Sequence, residues 1–109
     1  MSIYNGKILC NDRKQLHGKE IDIYLPELRL GFEFNGDYWH MNPLLHENNE
    51  INPSTHFTAR ETWEHDYKKQ ILAKQYNILL YVVWEYDWIY NNEKTKKDIL
   101  NIINNSISQ

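Results

Sequence analysis

At 109 residues the chain has room for one hydrophobic core and not two. A hydrophobic fraction of 41%, with four Trp and eight Tyr, excludes wholesale disorder, and the longest apolar run, 78–84, is too short to cross a bilayer. The formal net charge of −3 weighs against a domain that lives on phosphate contacts alone, unless its acidic residues are gathered at one site or its partner affinity sits elsewhere.

No basic segment followed by an apolar stretch opens the chain, so no secretory signal is expected. Cys10 stands alone, which excludes an internal disulfide and points to a reducing, cytoplasmic compartment, with Cys10 itself a half-buried strand residue. Residues 7–10 read as a short strand and 11–18, rich in Asn, Asp and Gly, as a polar turn. Residues 20–25 alternate, with Ile21, Ile23 and Leu25 on one face and Glu20, Asp22 and Tyr24 on the other. A tight turn at Pro26-Glu27 makes a hairpin with 29–35, whose Leu30, Phe32 and Phe34 oppose Glu33 and Asn35.

Residues 42–58 form a long irregular loop carrying His46 and His56. A helix follows from about 58 to 76, capped by Thr58 or Thr62, with Trp63, Tyr67 and Ile71 on its inner side and Asn77 as its left-handed stop. The run 78–84 is apolar on both faces, as a central strand covered by helices should be. Ile99, Ile102, Ile103 and Ile107 give 93–107 the spacing of a closing amphipathic helix. The order predicts a single α/β domain, residues 1–109, with a mixed sheet of about four strands flanked by helices.

Asp22 lies mid-strand, where a lone carboxylate is costly unless paired or bound to metal. Glu33 and Asn35 project from the neighbouring strand, and acidic residues on neighbouring strands, here Asp22 and Glu33, are a natural cradle for a hard divalent cation. They make an exposed polar face equally well, with Arg29 and Lys19 as partners; the strand pattern alone leaves the two readings level. The segment Gly36-Asp37-Tyr38-Trp39-His40 then adds a glycine, an aromatic pair and a histidine at the strand end.

Three stretches, 22–40, 65–69 and 77–85, together resemble the very-short-patch-repair type nucleases and their relatives among phage intron-encoded homing endonucleases, a branch of the PD-(D/E)XK superfamily. The resemblance rests on Asp22-Ile-Tyr-Leu-Pro, Glu33-Phe-Asn-Gly-Asp-Tyr-Trp-His40, His65-Asp66-Tyr-Lys-Lys and Asn77-Ile-Leu-Leu-Tyr-Val-Val-Trp-Glu85, in that order, over about two-thirds of the chain. It implies a PD-(D/E)XK core in which Asp22, Glu33 and the Phe34 backbone carbonyl bind metal. It further implies that His40 activates water, Asp66 orients His40, Asn35 and His65 position phosphate oxygens, and Trp39 packs under the site.

The superfamily's acid–x–lysine pattern here becomes Glu33-Phe34-Asn35, with no lysine, so His40 is left as the base. The family's first glutamate sits on a helix before the first strand; Glu20 is two residues from Asp22, and the resemblance places the equivalent upstream of this chain instead. The implied activity is a Mg²⁺-dependent DNA endonuclease, with Mn²⁺ as a substitute and 5′-phosphate and 3′-hydroxyl products. The implied setting is the catalytic domain of a homing endonuclease with a DNA-binding region upstream, acting on double-stranded DNA, with a homo-oligomer on DNA open to it and no membrane partner. A mismatch-nicking repair enzyme shares the chemistry, and a catalytically inactive DNA- or protein-binding module shares the fold.

Other readings compete for the same residues. His40, His46, His56 and His65 fit no compact zinc spacing. Arg60, Lys68, Lys69 and Lys74 make a basic helix side, either solvated or along phosphates. Trp63, Tyr67, Trp84 and Trp88 read as packing residues, and Glu85 as a distant site candidate.

Overall fold

The computed structural model describes residues 4–108. Strands β1 (Leu9–Leu16), β2 (Lys19–Leu25) and β3 (Leu30–Asn35) form an antiparallel meander, and β4 (Leu79–Trp84) adds to β3 in parallel. The sheet order is β1-β2-β3-β4. Helices α1 (Asp37–His40) and α2 (Ala59–Gln75) fill the β3–β4 crossover, and α3 (Glu85–Tyr90) and α4 (Asn92–Ile107) close the chain. The fold is therefore α/β with a mixed four-stranded sheet flanked by helices, and none of these helices is long and apolar enough to cross a membrane.

Two apolar clusters hold the layers together. Leu16, Ile21, Tyr24, Ile78 and Leu80 pack against Ala73 of α2 on one face. Leu25, Leu30 and Phe32 pack against Ile103 of α4 on the other, with Ile99 and Ile102 alongside. A small glycine lets the first cluster close: a Cβ on Gly31 would meet Leu80 Cδ2 at 2.6 Å and Ile21 Cγ2 at 2.9 Å.

Several expectations need correction. The polar stretch 11–18 is mostly strand; only His17 (φ 53) and Gly18 (φ 90) make the turn, and two such residues match the twist of a two-residue hairpin. β1 is an edge strand, so its polar side chains face solvent and hide the alternation. Cys10 is exposed on that edge. The run 78–84 also ends at an edge among the described residues, while β3 is the buried inner strand. Its apolar character reflects cover from helices on both faces, which parallel strands require wherever they stand in the sheet.

Ile21, Ile23 and Leu25 do not share a face. Ile21 sits with Tyr24 under α2, Leu25 under α4, and Ile23 is 43% exposed. The strand turns over because its last pair with β3 is Ile23↔Phe32. Helix α2 is capped as expected, Thr58 Oγ1 accepting from Glu61 N–H and the Glu61 carboxylate accepting from Thr58 N–H. Asn77 takes its left-handed turn at φ 60. The inward side of α2 is not Trp63, Tyr67 and Ile71, however: Tyr67 is 62% exposed and Ile71 is exposed too.

Gly31→Ala should cost about 1–3 kcal/mol, the usual range for overpacking a filled core. Urea denaturation, comparing midpoints at an unchanged slope, checks it.

Candidate active site

The site begins where the β2–β3 ladder stops. Beyond Ile23↔Phe32 the backbones no longer pair, and two carboxylates take over. Asp22 Oδ2 accepts from Phe34 N–H at 2.8 Å, and Glu33 Oε2 accepts from Asp22 N–H at 3.3 Å. Glu33 is 7% exposed, and its other oxygen forms an ion pair with Lys69 of α2. Burial pushes the Glu33 carboxyl above the usual carboxylate range, and the bond and charge of Lys69 pull it partly back.

α1 carries His40 to the same place. Its single turn is pinned from both sides: Asp37 N–H donates to Glu85 Oε1 at 3.1 Å, and Tyr86 N–H donates to Asp37 Oδ1 at 3.2 Å. Met41 ends the turn in the left-handed region at φ 51, and its carbonyl accepts from Trp63 Nε1–H at 2.7 Å. So held, His40 Nδ1 lies 2.8 Å from Asp66 Oδ2 of α2. The ring of Trp84 stands edge-on to His40, with centroids 6.4 Å apart. Trp39, expected under the site, is 58% exposed; its ring turns outward against Tyr38.

The hydrogen bond to Asp66 raises the His40 pKa above its ordinary value; burial opposes this, Glu33 adds to it and Lys69 subtracts. The nitrogen Nδ1 is committed to Asp66, which leaves Nε2 for a substrate proton.

Asp22, Glu33, Phe34, Asn35, His40 and Asp66 all line one pocket of about 250 Å³. Asn35 is buried, and Phe34, 49% exposed, lines the pocket as well. His65 does not join them: its side chain is 75% exposed, and its closest approach to Asp66 is 3.9 Å. Glu85 is tied to Asp37 and shapes the site from outside.

Four further polar residues line the pocket, Arg13, Glu20, Lys69 and Gln70, with Leu80 and Val82. A lysine does stand in the pocket, Lys69 of α2, paired with Glu33. A readable signal existed, since Asp66, Lys69, Gln70 and Ala73 fall on one helix face at spacings of three and four. Glu20 does face the same side as Asp22; Asn11 Nδ2 donates to it at 3.1 Å and Arg13 pairs with it at 3.2 Å, and these lower its pKa along with a bond to Asp22.

The loop between α1 and α2 is ordered by two buried amides. Asn52 donates to Tyr38 O at 2.8 Å and accepts from Ser54 and Thr55 N–H, while Asn42 donates to Asp37 Oδ1 at 2.9 Å. Both fix α1, and so His40, from behind.

Among the described residues no three His, Cys, Asp or Glu side chains are arranged to hold a metal ion. Asp22 and Glu33 nevertheless have the donor chemistry of a hard divalent cation, which is commonly bound through one or two carboxylates and completed by water and substrate phosphate. Positive charge already lies there, on Lys69. No known protein family, curated protein or solved structure matches the chain.

A raised His40 pKa means that the His40–Asp66 pair stabilises the fold fully below about pH 6.5 and less as pH rises through the folded value. The His40 ring should titrate above about 6.5 by NMR, and Asp66→Asn should lower that midpoint. The gap in melting temperature between wild type and Asp66→Asn should shrink from about pH 6 to about pH 8.5.

Proposed function

We propose that this chain hydrolyses DNA phosphodiester bonds in a reaction that needs a divalent cation. The observation that carries the reading is the His40–Asp66 pair opening on the same small pocket as Asp22 and Glu33. A histidine oriented by a carboxylate is a general base, and acidic residues beside it suit an anionic substrate only when a cation intervenes.

In this reading His40 Nε2 takes the proton of the attacking water. Asp66 fixes the tautomer that leaves Nε2 free and stabilises the imidazolium that forms. Asp22 and Glu33 would hold the cation, Mg²⁺ with Mn²⁺ as a substitute, which supplies positive charge against the phosphate oxygens. Asn35, buried at the pocket wall, orients a phosphate oxygen through its amide. Lys69 keeps the buried Glu33 ionised in the free enzyme.

The strand order, the parallel β3–β4 pair and the split at Asp22 are compatible with a PD-(D/E)XK core, and we extend the proposal to that fold family. The role as catalytic domain of a homing endonuclease rests on the sequence resemblance alone.

Plasmid nicking with Mg²⁺ tests the reading. Asp22→Asn keeps an acceptor for Phe34 N–H and should abolish nicking, whereas Asp22→Ala should also weaken the fold by leaving that amide unpaired. His40→Ala should lose roughly 100- to 10,000-fold. The single-turnover rate should rise with pH through a midpoint above about 6.5, because His40 works as the neutral ring. A flat profile there, or undiminished nicking by Asp22→Asn, removes the assignment.

A further inference from the structure

Beside the catalytic pocket, on its α2 side, lies a more open groove of about 460 Å³. Tyr67, Pro43 and Trp84 supply its apolar walls, and Arg60 stands among the lining residues. The two cavities adjoin: Asn35, Asp66, Gln70 and Val82 line both. A phosphate in the pocket would have its neighbouring group within reach of the groove.

Tyr67 is an aromatic side chain that the core does not use. It belongs to neither core cluster and is 62% exposed, yet it lines this groove. A largely apolar, aromatic slot with amides at one end matches a planar heterocycle with a hydrogen-bonding edge. Arg60 pairs with Glu64, which also lines the groove, at 3.3 Å, and such exposed pairs are weak enough to yield to a phosphate.

We infer that the groove is a nucleobase subsite, taking the base of the nucleotide next to the phosphate in the catalytic pocket. Tyr67 stacks on the base, and Gln70 faces its edge. Because a base inside a duplex has both faces covered by its neighbours, the subsite takes an unpaired nucleotide. The chain's charge points the same way. At a formal charge of −3 the chain is not built for tight backbone binding, so stacking contributes to the affinity. The placement rests on the phosphodiesterase reading; the binding itself does not.

The test is fluorescence anisotropy in EDTA at about 0.15 M ionic strength. The probe is a dye-labelled single strand of about 12 nucleotides, compared with the same strand in a duplex. The wild-type chain should bind the single strand more tightly than the duplex. Tyr67→Ala should weaken single-strand binding roughly 5- to 100-fold, and Tyr67→Phe, which keeps the ring, should stay within about threefold. Tyr67 is exposed, so a thermal melt should show the alanine variant folded.

Equal binding by wild type and Tyr67→Ala overturns the subsite, as does equal affinity for duplex or no strand binding at all. Nicking assays on the same proteins separate the two claims. Tyr67-dependent binding with no cleavage by any variant leaves the subsite standing and removes the phosphodiesterase; cleavage by wild type with normal binding and cleavage by Tyr67→Ala does the reverse.

Discussion

The opening of the sheet between Asp22 and Phe34 is the constraint on which the rest of the structure depends. An antiparallel pair that stops early leaves amide groups without partners, and buried amides cannot go unpaired cheaply. Here side chains replace the missing ladder. The Asp22 carboxylate accepts from Phe34 N–H, and the Glu33 carboxylate accepts from Asp22 N–H. The gap needs acceptors, and it gets two carboxylates facing one space. In the proposed reaction, structure and chemistry would draw on the same oxygens, so a change at either residue would disturb both.

That choice dictates the helix laid across the gap. A carboxylate as buried as Glu33 demands a cation, and α2 provides Lys69. The inward face of α2 then runs Asp66, Lys69, Gln70 toward the pocket and only reaches the apolar core at Ala73. Tyr67, one step round the helix, is left outside. A helix that covers a polar site cannot be amphipathic in the ordinary sense, because the side it buries is the polar one.

This explains what was legible in the sequence and what was not. The β2–β3 hairpin, the α2 boundaries, Asn77 and the closing helix were readable, because alternation, capping and spacing are local signals. Asp22, Glu33, Asn35, His40 and Asp66 were named from their motif and do meet in one pocket. β1 was hidden by its polar edge sequence, and the flip of Ile21 by a lapse in pairing that no side-chain pattern records. α1 and α3 were missed because each is a single turn or little more, held by Asp37 and Glu85 from opposite ends of the chain. Lys69 was read as part of a basic helix side, and its pairing was missed because its partner lies 36 positions away, on β3. His65 looked equivalent to Asp66 in sequence; one helical step of rotation sends it to solvent.

Lys69 also decides how independent His40 is of its neighbours. Glu33 raises the His40 pKa and Lys69 lowers it, so the ion pair acts on the ring as two opposed charges. Were the lysine lost, the buried Glu33 would be driven further toward its protonated form, since burial already pushes it that way. The negative charge would then leave together with the positive one. From His40 the two losses oppose each other, and Asp66, the largest influence on the ring, still sets its protonation. Pairing Glu33 with Lys69 therefore separates two tasks that crowd one pocket: the strand gap keeps its acceptor, and the histidine answers chiefly to the carboxylate that aims it.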